Sequence, residues 1–170
     1  MNPTTKAGAR IAAIFLTIVL MLSLSTQSAS AAPNKLPIAP NWGACGVFTK
    51  ENTVVRTYSK GYVLRCGGPR LSSNPNWGYR HIIKKHREDF GRLTPQLLTN
   101  RNWRDLTDFV IEWTIVDPDH TRAAGGGQTC RDRVFWLADA NGRTVLKQRF
   151  KLYTKGTQIN TVFPSTTGCS

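Results

Sequence analysis

The sequence predicts an α+β domain in which an N-terminal hairpin and helices precede an antiparallel sheet of about four strands. Apolar residues recur with helical spacing over residues 78–90, which is typical of an amphipathic helix. Beyond Leu106, runs of β-branched and aromatic residues alternate with Gly, Asn, Asp and Pro turns, as in hairpins. Four cysteines in 170 residues further indicate that disulfides staple the domain.

Residues 1–31 have the pattern of a signal peptide. Lys6 and Arg10 supply a positive start, and Ile11–Leu24 is an almost wholly apolar run of 14 residues. Small residues at Ala29 and Ala31 predict cleavage directly after Ala31. The alternative is an uncleaved anchor, but the run is shorter than the roughly 20 residues that a spanning helix needs. We therefore expect a secreted, extracellular protein.

The remaining chain divides into an extended N-terminal arm, residues 32–44, and a single basic domain, residues 45–170. The arm is rich in Pro, Asn, Gly and Ala, which disfavours regular structure. The domain is long enough to bury a modest core of its own.

The chain is strongly basic, with 23 Lys and Arg against 10 Asp and Glu. Removing Lys6 and Arg10 with the signal peptide leaves 21 against 10, a net charge of +11. Such a charge opposes compaction, which suggests that it serves to attract a polyanion. RNA, DNA, anionic lipid and an anionic envelope polymer are the candidates, and the alternative is a charge that only aids solubility.

The four cysteines are Cys45, Cys66, Cys130 and Cys169, and an exported chain is expected to join them in two disulfides. Three pairings are possible. We favour Cys45–Cys66, which closes a local hairpin, and Cys130–Cys169, which staples the chain end to the C-terminal sheet. Zinc-type spacing is missing from the sequence, so we expect no metal site. We also expect no cofactor.

The first half of the domain contains the hairpin and the helices. Residues 53–58 and 62–65 are predicted strands around a turn, and a loop follows over residues 67–78. A helix is predicted over residues 78–90, with Asn76 as its N-cap and Gly91 as its C-cap. A short second helix over residues 94–99 and the start of a third at residues 102–105 complete this half.

The second half contains the sheet. The predicted strands cover residues 109–116, 131–138, 145–153 and 158–163, with a glycine-rich loop at 123–128 and a hairpin turn at Asn141-Gly142. Glu112, Trp113 and Trp136 therefore fall in strands, and we expect both tryptophans in the core. His120 is expected in a solvated turn.

His81 and His86 are the candidate catalytic residues. They lie five positions apart, about 140° around a helix, so we expect the rings to point in different directions. Arg80, Lys84 and Lys85 would favour neutral imidazoles by charge repulsion and would also bind a phosphate. The alternative is that both are ordinary histidines in a solvated basic stripe.

The helix and the last strand together resemble a known family. Gly78-Tyr79-Arg80-His81-Ile82 continues to His86, and the chain later ends its sheet in Asn160-Thr161-Val162-Phe163-Pro164. This order is similar to that of the barnase/EndoU/colicin/RelE-like ribonucleases, which include many bacterial toxin domains. The resemblance covers roughly residues 76–166. Many members of that family are C-terminal domains of large carrier proteins, whereas this chain is predicted to carry its own signal peptide.

The resemblance implies metal-independent cleavage of RNA. The 2′-hydroxyl would attack the adjacent phosphate and leave a 2′,3′-cyclic phosphate, with one of His81 and His86 as base or acid. Thr161 would bond the phosphate. Arg149, Tyr153 and Lys155, with Lys147, are candidates for charge stabilisation because of their place in the sheet.

A secreted ribonuclease or ribonuclease-type toxin is therefore the first expectation. A non-catalytic polyanion-binding protein is the second, and a protease-inhibitor-like module is the third. The expected partners are RNA or another polyanion, with an inhibitor protein as a further candidate, and the chain is expected to be a monomer.

Overall fold

The computed structural model describes residues 34–97 and 99–170, so the predicted signal peptide and its cleavage site lie outside the described residues. Two helices and a mixed sheet confirm the α+β class. Among the described residues, no helix is both long enough and apolar enough to cross a membrane.

Three short strands and two helices come first along the chain, and four strands follow. The first block holds β1 (Asn34–Lys35), β2 (Val54–Thr57), β3 (Val63–Arg65), α1 (Gly78–Leu93) and α2 (Trp103–Val116). The second holds β4 (His120–Ala124), β5 (Gln128–Ala138), β6 (Thr144–Lys155) and β7 (Gln158–Ser165). Short 3-10 turns occupy Ser59–Gly61, Thr94–Leu97 and Gly125–Gly127.

The sheet is larger than predicted. Its order is β1-β5-β6-β7-β3-β2, and β4 pairs with the same edge of β5 as β1 does, so seven segments occupy six positions. The expectation of about four antiparallel strands is wrong, since β1 joins β5 and β3 joins β7 in parallel. Local patterns detect hairpins, whereas these parallel pairings join segments that are far apart in sequence.

The predicted strand over residues 109–116 is wrong, because this segment is the second half of α2. Asn102 caps the helix in a capping box with Asp105, so the helix starts firmly at Trp103. Its residues Val110, Ile111 and Ile115 are buried, and the helix packs against β5 and β6. Burial of this broad apolar face overrides the strand preference of the individual residues.

The boundaries of α1 also differ from the prediction. Trp77, not Asn76, occupies the N-cap position, and no side chain caps the helix there. Gly91 lies inside the helix, which continues to Leu93 and ends with Thr94 as its C-cap. The 3-10 turn over Thr94–Leu97 takes the place of the predicted short second helix.

The two disulfides join Cys45 to Cys66 and Cys130 to Cys169, as favoured from the sequence. Their Cα–Cα distances are 5.6 and 5.9 Å, within the usual range for a disulfide. The first ties the loop before β2 to the end of β3. The second holds residues 166–170, which we call the C-terminal tail, against β5.

The main core lies between the helices and one face of the sheet. Phe90 of α1 stacks on Phe150 of β6 at 5.5 Å between ring centroids, and Phe109 of α2 lies 5.6 Å from Phe135 of β5. The described part of the N-terminal arm joins this core, because Leu36 is buried within it. The helices thus cover one face and leave the other available for a site.

Candidate functional site

We call the sheet face opposite the core the outer face. Alternate residues of each strand point to it, and the register places them in rows. Thr161 lies opposite Tyr153, and Tyr153 lies opposite Cys130. The next row along the strands is His120, Asp132, Lys151 and Phe163 on β4, β5, β6 and β7. Neighbouring strands are about 4.8 Å apart, so His120 and Phe163 are separated by about 14 Å.

The two candidate catalytic histidines meet at the β7 side of this face. α1 packs mainly against β7, and the His86 ring stacks on Phe163 at 5.0 Å. The ring centroids of His81 and His86 are only 5.3 Å apart, so the expectation of divergent rings is wrong. The helical angle sets the directions of the Cα–Cβ bonds, whereas rotamers and anchoring contacts decide where the rings lie.

Each imidazole is held through Nδ1. His81 Nδ1 lies 2.9 Å from the Pro75 carbonyl oxygen, and His86 Nδ1 lies 3.1 Å from Asp89 Oδ2. A carbonyl and a carboxylate can only accept, so both Nδ1 atoms carry the proton. Neither Nε2 has a hydrogen-bond partner within the part of the chain that the structure describes. The pair therefore presents two unoccupied ring nitrogens.

Burial lowers the pKa of His86 below its ordinary value, and the neighbouring His81 and Lys85 act in the same direction. The Asp89 carboxylate opposes this shift but does not outweigh it. His86 is therefore neutral at physiological pH, with an unprotonated Nε2 that can accept a proton.

Aromatic residues extend the contact of His86 across the sheet, and Thr161 lies in the same strand as Phe163. Tyr153 stacks on Phe163 at 6.0 Å, which extends the His86–Phe163 stack across β7 to β6. The Thr161 hydroxyl, opposite Tyr153, is buried and has no partner among the described residues. A buried hydroxyl without a partner costs free energy, and a bound ligand or water is the usual remedy.

The predicted substrate-binding cations occupy different settings. Lys84 and Lys85 are exposed on α1, and Lys155 is exposed at the end of β6. Arg149 instead forms an ion pair with Asp132. Lys147 lies 4.3 Å from the ring centroid of Trp136, an exposed cation–π pair on the outer face.

Arg80 has a structural function. Its guanidinium donates to the carbonyl oxygens of Gly67, Gly46 and Thr49 at 2.6, 2.8 and 2.6 Å. The chain also crosses itself here, since a Cβ on Gly78 would lie 2.6 Å from the Gly67 Cα. These contacts fix the start of α1, and hence the positions of His81 about one turn later and of His86 about two turns later.

A cluster that the sequence did not reveal lies under the C-terminal tail. The Asp132 carboxylate is fully buried and accepts from the Cys169 amide at 2.7 Å, from His120 Nδ1 at 3.2 Å and from Arg149. Burial alone would raise its pKa, but the hydrogen bonds from Cys169 and His120 and the charge of Arg149 outweigh burial and lower it. The tail adds a bond from Lys151 Nζ to Thr167 Oγ1 at 3.1 Å.

Several smaller expectations are corrected. His120 lies in β4 rather than in a turn, and Glu112 lies in α2, where it binds Ser59. Trp113 and Trp136 are exposed rather than buried, and each lies beside a cation. The sequence could have predicted the buried cluster from the pairing of His120 with Asp132 across β4 and β5. That prediction would have required recognising residues 120–124 as a strand.

Over residues 34–97 and 99–170, no group of three or more His, Cys, Asp or Glu side chains is arranged to hold a metal ion. The chain matched none of the protein-family models, curated proteins or solved structures with which it was compared.

Proposed function

We propose that this protein is a ribonuclease that cleaves RNA by attack of the 2′-hydroxyl on the adjacent phosphate. The observation that carries the proposal is the pair of histidines 5.3 Å apart, each with Nδ1 engaged and Nε2 unoccupied. Such a reaction needs a base and an acid on either side of one phosphate, and imidazole suits both tasks.

His86 is the proposed base. Its lowered pKa keeps Nε2 unprotonated near neutral pH, so it can accept the proton of the 2′-hydroxyl as the oxygen attacks phosphorus. His81, fixed by the Pro75 carbonyl, is the proposed acid. In its protonated form both ring nitrogens carry hydrogen, so Nδ1 stays bonded to Pro75 while Nε2 donates its proton to the departing 5′-oxygen. The products are a 2′,3′-cyclic phosphate and a 5′-hydroxyl, so the protons balance.

The surroundings support an RNA strand as substrate. Lys85 adjoins the histidine pair, and Lys151 lies directly opposite Phe163. Cations at these positions would bind phosphates along the strand, and such binding weakens steeply as salt displaces it. The unpartnered Thr161 hydroxyl would supply a hydrogen bond to the reacting phosphate.

A cleavage assay on a fluorogenic RNA, in EDTA and with the disulfides formed, tests the proposal on residues 32–170. We expect His81→Ala and His86→Ala each to lower the rate by about 100-fold or more, because general acid–base catalysis contributes about 10²–10⁴. The matched control is His120→Ala, which removes a histidine on the same face about 14 Å away and should leave the rate unchanged.

Two outcomes would contradict the proposal. Folded wild-type protein that binds RNA in a salt-dependent manner without cutting it would support the polyanion-binding alternative. Cleavage that survives both substitutions, or that falls equally with His120→Ala, would place the chemistry elsewhere.

A further inference from the structure

A polar cavity of about 590 Å³ opens at the end of the sheet nearest the start of α1. Asn76 and Trp77 line it from the loop before α1, and Gln128 lines it from the start of β5. Gln158 and Asn160 of β7 form another wall. The volume lies within the range of small-ligand sites, about 300–1,000 Å³.

The lining is rich in neutral hydrogen-bonding groups. Five side-chain amides face the cavity, since Asn52 joins the four already named, and Lys155 is the single charged group among the lining residues. An amide presents both donors and acceptors, as the edge of a nucleobase does. A phosphate would instead be met by several cations. The lining therefore suits an uncharged polar group.

Hydrogen bonds within the protein already orient three of the five amides. Asn160 Nδ2 donates to Gln128 Oε1 at 3.3 Å, and Gln158 Nε2 donates to the Ile159 carbonyl at 2.7 Å. These bonds hold three amides in place and leave Asn160 Oδ1, Gln128 Nε2 and Gln158 Oε1 available. A fixed pattern of two acceptors and one donor reduces the entropic cost of binding a complementary edge.

The cavity adjoins the histidine pair. Asn160 directly precedes Thr161, and Lys155 follows Tyr153 by two residues on β6. The Pro75 carbonyl that anchors His81 belongs to the loop that carries Trp77. A nucleotide bound next to the histidines would therefore have its base within reach of this cavity.

We infer that the cavity binds one unpaired nucleobase next to the phosphate on which the histidines act, and that Gln128 and Asn160 select that base. Trp77, which is half-buried in the wall, supplies a surface on which the base stacks. This inference rests on the proposed ribonuclease function and adds a base preference to it.

The first experiment measures kcat/KM on DNA oligonucleotides that contain a single ribonucleotide, with the bases on both sides of the cleavable bond varied in turn. We expect a preference of at least about tenfold among bases, because a good bidentate pairing between a side chain and a base edge discriminates against the wrong base by about that factor or more. Gln128→Met and Asn160→Leu should reduce the preference to less than about threefold while the protein still cleaves. Gln96→Met, an exposed glutamine outside the cavity, is the matched control.

The second experiment does not depend on cleavage. Uncharged adenosine, guanosine, cytidine and uridine are titrated into ¹⁵N-labelled protein, and the side-chain amide signals of Gln128 and Asn160 and the Trp77 indole signal are followed. At least one nucleoside should shift these signals, and Asn160→Leu should weaken the binding by about tenfold. Because the nucleosides carry no phosphate, attraction to the basic surface does not explain a shift.

The outcomes separate the two proposals. Cleavage without base preference, unchanged by Gln128→Met, would overturn the base site and leave the ribonuclease proposal standing. A chain that cleaves no RNA but binds one nucleoside in the cavity would overturn only the proposed reaction. N-acetylglucosamine oligomers are titrated in the same way. Amide and indole signals that respond to these oligomers and to none of the nucleosides would overturn the base site in favour of a sugar site.

Discussion

Two histidine–aspartate pairs border the outer face of the sheet. The histidine is the more buried partner in one pair, and the aspartate is the more buried partner in the other. In the His86–Asp89 pair, the histidine side chain is 18% exposed and the aspartate 31%. In the His120–Asp132 pair, the histidine is 51% exposed and the aspartate 0%. The Nδ1–oxygen distances are nearly equal, at 3.1 and 3.2 Å.

In each pair, the more buried partner has a lowered pKa. At His86, burial lowers the pKa of the imidazole in spite of Asp89, so the pair yields a neutral ring with a proton-accepting nitrogen. At Asp132, three donors overcome burial and lower the pKa of the carboxyl, so the pair yields a stable buried anion. The same two residue types thus suit proton transfer in one place and structural anchoring in the other.

The largest expected effect is on the structural pair. Asp132→Asn keeps the size of the side chain but leaves the Arg149 charge without its partner, and breaking a buried pair costs about 3–5 kcal/mol. Urea unfolding should show this loss. The matched control is Asp89→Asn, whose partly exposed pairs should contribute less than about 1 kcal/mol. Equal losses for the two variants would mean that burial does not distinguish the pairs.

A smaller effect is expected at Thr161, which belongs to the proposed catalytic site. Thr161→Val should lower the RNA cleavage rate about 10- to 100-fold, because a hydrogen bond to a charged group is worth about 1.5–3 kcal/mol. It should not lower the free energy of unfolding, since the hydroxyl has no partner to lose. Thr161→Ser, which keeps the hydroxyl, is the control for activity. An unchanged cleavage rate in Thr161→Val would remove this residue from the site.

The smallest expected effect is a pH dependence of stability from His86, since burial and Asp89 act in opposite directions. Its folded-state pKa lies below the ordinary value of about 6.5, so the unfolded chain binds the proton more readily. The stabilisation is fully present above about pH 6.5 and is lost as the pH falls through that value toward the folded-state pKa.

Urea unfolding between pH 5 and 8 measures this dependence. Wild type should lose stability on acidification across this range, and His86→Gln should lose less. A His86 contribution that grows as the pH falls would show that Asp89 outweighs burial and that the imidazole is charged.

Local features were predictable where their cause is local. The α1 helix follows from its apolar spacing, and the β5–β6 hairpin follows from Asn141-Gly142. The two disulfide pairings also agreed with the favoured choice. The strand predicted over residues 109–116 is wrong because tertiary contacts override the local preference. A run of β-branched residues forms a helix here, since the helix is capped at its start and buries an apolar face.

The sequence predicted which residues belong to the candidate site but not how they are arranged in space. His81, His86 and Thr161 were identified on α1 and β7, but their arrangement was not. The helical angle separates the two histidines, and only the contacts with Pro75, Asp89 and Phe163 bring the rings together. The amide-lined cavity gave no sequence signal, since its residues come from five separate segments.

Composition and neighbours along the chain are enough to specify the basic charge, the cysteine content, the histidine-bearing helix and the alternation that makes the outer face. The tertiary structure decided which histidine is buried, which aspartate stays charged and which cations remain available. Those properties depend on desolvation and on contacts between segments that are remote in sequence, and only the folded chain sets them.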